Sequence, residues 1–108
     1  MNIQTREIDG TMALALSGDV DLSHSPALRK ALMELMLERR AVVVDLSAVT
    51  YVDSSGIAGL VEAYQMARKN GTAFTLAAIS DPVRRVLQLA RLDRVFTIVD
   101  TVEAAVKG

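Results

Sequence analysis

The sequence predicts an α/β domain: a mixed, mostly parallel sheet of about five strands with about four helices, in the order ββαβαβαβα. Three observations carry that expectation. "AVVVDL" at 41–46 is a β-branched run without alternation, as in a strand buried on both faces. Apolar residues recur at helical spacing in the segments around Leu32, Leu60 and Leu87. Turn and capping signals divide the segments at short intervals, with no linker, repeat or low-complexity tract.

Taken in order, "NIQTREI" and "TMALALSG" read as two strands joined at Asp9-Gly10, a dipeptide suited to a tight hairpin. "GDVDLSHS" leads to the first helix. Ser25 is its expected cap, Pro26 suits the first helical position, and Leu28, Ala31, Leu32, Leu35 and Met36 form one apolar stripe. Met33 and Leu37 fall outside the stripe, so either the buried face is broad or they form a contact patch. The 41–46 run is the expected central strand. A second helix is expected from about Ser55 to Lys69, with Ile57, Leu60, Val61 and Tyr64 on one face and Asn70-Gly71 closing it. "TAFTLAAI" reads as a strand, Asp81-Pro82 opens a third helix bearing Val83, Val86, Leu87 and Ala90, and "VFTIV" is a last short strand. Asp100 and Glu103 stand at capping-box spacing ahead of a short terminal helix. The alternation of strands with helices predicts parallel pairing through right-handed crossovers.

A chain of 108 residues is expected to be one domain, 1–108. A 51% hydrophobic content with only 4% aromatic residues suits helices packed on a sheet. The net charge of -1, with both signs interspersed, gives no electrostatic reason to expect nucleic acid or anionic lipid as a partner. The absence of cysteine removes disulfides and thiolate metal sites. No apolar run approaches the roughly 18 residues of a membrane span, and "MNIQTREIDG" lacks the pattern of a signal peptide. A cytoplasmic location is the expectation.

The chemistry concentrates in "YVDSSGIAGLV", residues 51–61. A strand runs into a carboxylate, two hydroxyls and a glycine, and then into a helix. The carboxyl edge of an α/β sheet is where function usually sits, and the helix N-terminus there presents unpaired N–H groups. Either Asp53 or Ser54 can cap the helix while Gly56 eases the turn, and one cap is enough. The second hydroxyl is left over. A catalytic nucleophile is not expected: the lone histidine, His24, lies in another segment, no G-x-S-x-G elbow is present, and a lysine base, which spacing leaves open, has nothing else in its favour. No phosphate-cradling motif surrounds Gly56 and Gly59, so no nucleotide or other cofactor is expected. A serine that itself becomes phosphorylated fits better. The helix N-terminus would favour the phosphate, and the surface would gain about -1.5 to -2 charge. A partner meeting the corner with carboxylates or an apolar patch would then be repelled. Upstream, Asp19 and Asp21 flank Val20, so strand alternation places both carboxylates on one side. They lack further oxygen ligands at suitable spacing, and no metal site is expected.

With these pieces in order, the sequence resembles the STAS domain family, and within it the anti-sigma factor antagonists of bacterial partner switching. The resemblance covers nearly the whole chain. It rests on "LSGDVDLSHSPALRKAL" and "VVVDLSAVTYVDSSGIAGL", and more loosely on "AAISDPVRRVLQLARLDRVFTIVDTVEAAV". It implies a STAS fold and a non-enzymatic switch whose phosphorylated hydroxyl falls on Ser54, between Asp53 and Ser55. The family's acidic loop, which contacts the kinase, falls on Asp21. The implied partner-binding residues are Asp21, Asp53, Ser54, Ser55, Gly56, Ile57 and Ala58. The implied partners are an anti-sigma factor that is also a serine kinase of the histidine-kinase-like ATPase type, and a separate serine phosphatase. A weak homodimer stays open. Two departures stand out. Ala58 occupies a position where the family usually has glycine, and Arg91 follows the third helix where glycine is also usual, so its cap needs another geometry or a strained arginine. Two rival jobs on the same fold also stay open: the STAS subunit of a lipid-type ABC transporter, and a small-ligand sensor.

Overall fold

The computed structural model describes residues 1–107. Strands β1 (Asn2–Ile8) and β2 (Thr11–Val20) form the expected hairpin. Asp9 and Gly10 both take positive φ, 50° and 86°, the turn geometry that matches the twist of the paired strands. Helix α1 (Ser25–Leu37), β3 (Ala41–Val52), α2 (Ser54–Asn70), β4 (Phe74–Ala77), α3 (Asp81–Leu89), a 3₁₀ turn (Leu92–Arg94), β5 (Thr97–Val99) and α4 (Val102–Lys107) complete the order. The sheet runs β1-β2-β3-β4-β5, antiparallel only between β1 and β2.

That strand order decides where the helices go. Each parallel crossover steps one strand in the same direction, so right-handed connections put α1, α2 and α3 on a single face. There Leu28, Leu32 and Met36 of α1, Leu60 of α2 and Leu87 of α3 bury against Leu14, Val42, Val44 and Leu76. The opposite face receives α4, whose Val102 packs with Ala13, Val43 and Ala77. The unalternating valines of β3 thus find apolar partners on both sides. Met33 packs against the main core while Leu37 is 78% exposed, so the flank of α1 divides between the two expectations.

Several details differ from the sequence expectations. The central strand extends past Leu46 to Val52, because β2 accompanies it as far as the Val20–Val52 pair. β4 pairs with β3 only over Val42–Asp45. Beyond that, the β3 edge is closed by Ser80, whose amide donates to Leu46 O (3.3 Å) and whose hydroxyl donates to Val49 O (2.7 Å). Ser25 is not the cap of α1. His24 holds that position, Ser25 lies inside the helix, and the amides of both donate to Asp21 O (3.0 and 2.9 Å). A tight turn running straight into the helix leaves no donor for a serine cap to satisfy. At α4, Thr101 and not Asp100 accepts a first-turn amide, that of Ala104 (3.0 Å). Gly71 closes α2 in the left-handed conformation (φ 72°), as expected. Arg91 after α3 adopts the same conformation (φ 59°), the strained alternative for that position.

Candidate functional site

The pairing of Val20 with Val52 at the strand ends brings the β2–α1 and β3–α2 loops side by side at one edge of the sheet. Asp53 joins them. It takes an extended conformation and caps α2: its Oδ1 accepts from the amides of Ser55 (3.0 Å) and Gly56 (3.1 Å). The same oxygen accepts from the Ser55 hydroxyl at 2.6 Å. Its Oδ2 accepts from the Leu22 amide (3.1 Å), while its own amide donates to Val20 O (3.2 Å). The bond from the Ser55 hydroxyl, aided by the three amides, holds the Asp53 carboxyl below its ordinary 3.8 against the opposing effect of desolvation.

This network separates the two serines. Asp53 is the cap, and the Ser55 hydroxyl is spent on it. Ser54, the first residue of the helix, is exposed and takes no part in the network. Gly56 is buried for a steric reason. A Cβ there would lie 2.7 Å from Val20 O and 2.8 Å from Val20 Cγ1, so only glycine lets the first turn of α2 come this close to β2. Ile57 turns toward the core, and Ala58 is exposed one position further.

Asp21 lies at the same edge, but not as a free carboxylate on an alternating strand. β2 ends at Val20, and the Asp21 Oδ1 accepts from the Ser23 hydroxyl (2.8 Å) and sits 2.7 Å from His24 Nδ1. The Ser23 bond first, and then the His24 ring, hold its carboxyl below the ordinary range. Asp19 lies back on the strand, accepting from the Thr50 hydroxyl (2.9 Å). The structure therefore gathers Asp21, Asp53, Ser54, Ser55, Gly56, Ile57 and Ala58 at one edge, with Gly56 and Ile57 supporting the surface from beneath.

An open groove of about 820 Å³ runs from Ser54 along α2, walled by Pro26 and Arg29 of α1, by Val86 of α3 and by Ala90 just after it. Its floor includes Ile57, Ala58 and Val61, and so is largely apolar. Arg29 spans the groove to Glu62 in a two-point ion pair, Nε to Oε1 at 2.7 Å and Nη2 to Oε2 at 3.0 Å. Each partner stabilises the charged form of the other, raising the arginine and lowering the carboxyl. Sequence reading missed this groove, since Arg29, Glu62 and Val86 lie on three helices and share no local pattern. Leu22, a large apolar residue in a polar loop, is 73% exposed beside Asp53, but it marks the corner and does not line the groove. Another hollow, about 460 Å³, is lined by Tyr64, Arg68 and Phe74 toward the far end of α2 and does not touch the serine corner.

The model of the STAS domain matches residues 2–105. The chain belongs to the STAS domain family. An anti-sigma-F factor antagonist, RsfB, of Mycobacterium tuberculosis is 28% identical over 109 residues, covering 100% of this chain and 88% of that one. The anti-sigma-B factor antagonist of Bacillus subtilis is 24% identical over 98 residues, covering 91% of this chain and 90% of its own. Among solved structures, an anti-sigma factor antagonist from Mycobacterium paratuberculosis superposes with a TM-score of 0.90 at 30% identity, over 98% of this STAS domain and 91% of the other. No helix among the described residues is long and apolar enough to cross a membrane.

Proposed function

We propose that this STAS domain is an anti-sigma factor antagonist: a cytoplasmic, non-enzymatic switch that binds an anti-sigma serine kinase of the histidine-kinase-like ATPase type while Ser54 is unmodified. Binding frees the target that the kinase holds. The kinase transfers the γ-phosphoryl of ATP to Ser54 Oγ, ADP leaves, and the hydroxyl proton passes to a base on the kinase. A serine phosphatase returns the hydroxyl. The observation that carries the reading is the division of labour at the corner. Ser55 is bound to Asp53 at 2.6 Å, whereas Ser54 is exposed at the mouth of an apolar groove. The names of the relatives support the same role.

The charge around the groove gives phosphorylation its effect. Arg29 is the one cation lining it among the described residues, and Glu62 already neutralises it. A phosphate on Ser54 would lie beside Asp53 with no free cation in the groove, and a docked partner would have to bury it. Burying an unpaired charge is costly, so the complex is released.

The test is to incubate the protein with ATP and, one at a time, the histidine-kinase-like ATPases of its own genome, then map the modified residue by mass spectrometry. One of them should phosphorylate Ser54, Ser54→Ala should abolish the modification, and Ser55→Ala should retain it. Stoichiometric phosphate on Ser54→Ala overturns the assignment.

A further inference from the structure

The groove beside Ser54 does not end at its α3 wall. Leu89 follows Val86 by three positions and Arg85 by four, so on the helix surface it is neighbour to both. It is 81% exposed, more than any other large apolar side chain here, and it carries the apolar floor outward to Arg85. From there α3 presents Arg85, with Arg84 on its other flank, and the segment that follows presents Arg91 and Arg94, all exposed. Among the described residues none of the four lies within ion-pair distance of a carboxylate. Arg91 and Arg94 line a shallow hollow of about 480 Å³ with Gln88 and Asp93. The surface thus changes along its length: Asp53 at the Ser54 end, a largely apolar groove crossed by the Arg29–Glu62 pair in the middle, and beyond the α3 wall arginines outside ion-pair distance of any carboxylate, with Asp93 among them.

Arg91 adds a second, independent observation. Its φ of 59° is a conformation that a side chain with a Cβ adopts at a cost and that glycine adopts freely. No ion pair of its own offsets that strain. The guanidinium carried at that cost lines the separate hollow beyond the α3 wall, beside Arg94.

We infer that this basic rim receives an acidic segment of the protein that docks on the Ser54 groove. The contact sets the orientation of the partner and speeds its approach, since charges on the rim of an interface act mainly on encounter rate and salt dependence. The inference rests on the reading of the groove as a docking surface and names the chemistry of the docked protein at the α3 end.

The experiment uses the kinase that phosphorylates Ser54 in the screen above, titrated against the full chain at salt concentrations from about 0.05 to 0.3 M, where screening changes most for exposed charges. The double variant Arg85→Glu/Arg91→Glu should raise Kd by about 10-fold or more at low salt and flatten its salt dependence. Lys107→Glu, on α4 across the sheet, is the control and should bind like the parent. Arg91→Gly should melt higher than the parent yet bind more weakly, a combination that general damage to the fold does not produce. If the double variant binds within about twofold of the parent, or keeps the parental salt dependence, the inference is overturned. If no kinase binds the parent and Ser54 is never modified, the underlying reading has failed, and this inference falls with it.

Discussion

The glycine pair at the start of α2 gives a demanding test of how the corner is built. A methyl group added at Gly56 would lie 2.7 Å from Val20 O, 2.8 Å from Val20 Cγ1 and 3.0 Å from Val52 Cγ2. The first of these is backbone in the strand pair that forms the edge of the site, so it cannot step aside as a flexible side chain could. Overpacking of this kind costs about 1–3 kcal/mol. The better helix propensity of alanine offsets up to about 1 kcal/mol of that, less in a first turn than in a helix interior. From the midpoint of that range, about 2 kcal/mol, a net loss of about 1–2 kcal/mol remains, which at this chain length lowers Tm by about 4–12 °C. At Gly59, three residues along the same helix, nothing lies within 4 Å of the added methyl. Only the propensity gain acts there, so Gly59→Ala should raise Tm by about 3–5 °C. Thermal melts of the parent and the two variants in one buffer read both signs. Hydrogen exchange at the Leu22 amide, bonded to Asp53 Oδ2 at 3.1 Å, should quicken in Gly56→Ala alone. A Gly56→Ala protein that melts level with the parent, or above Gly59→Ala, would show that the close approach of α2 to β2 does not hold the corner.

Three further outcomes are expected. Ser54→Asp should melt like the parent but weaken kinase binding by about 30- to 1000-fold, and an unchanged Kd by titration calorimetry sinks the switch. Asp53→Asn should narrow the gap in stability from the parent as the pH falls. The Asp53 carboxyl titrates below its ordinary 3.8 in the folded state, so its contribution is complete above that value and is lost as pH drops through the folded pKa. Urea unfolding at pH 7 and pH 3 checks the sign, and a gap that widens in acid contradicts it. Asp21→Ala should slow phosphorylation about 10- to 150-fold through loss of a charge-assisted contact, whereas Asp19→Ala, whose carboxylate serves Thr50, should be milder. Equal, near-parental rates for both variants would return the acidic loop to the status of a solvated turn.

Local chemistry wrote much of this protein into its sequence. The Asp9-Gly10 turn, the buried valine run of β3, the helical stripes of α1 to α3 and the glycine end of α2 each follow from a few adjacent residues, and each was legible. So was the serine corner, because a carboxylate, two hydroxyls and a glycine crowd a strand-to-helix junction that needs only one cap. Capping was the weakest part of the reading. His24, Ser25, Asp100 and Thr101 compete within one or two positions, and the neighbouring backbone chooses among them. What only the tertiary structure decided depends on groups far apart in the chain. Asp53 spends Oδ1 on Ser55 and Gly56 and Oδ2 on Leu22, 31 residues away, and that bonding separates Ser55 from Ser54. The groove and its Arg29–Glu62 pair exist because sequential right-handed crossovers place three helices on one face, a consequence of strand order that no local pattern carries.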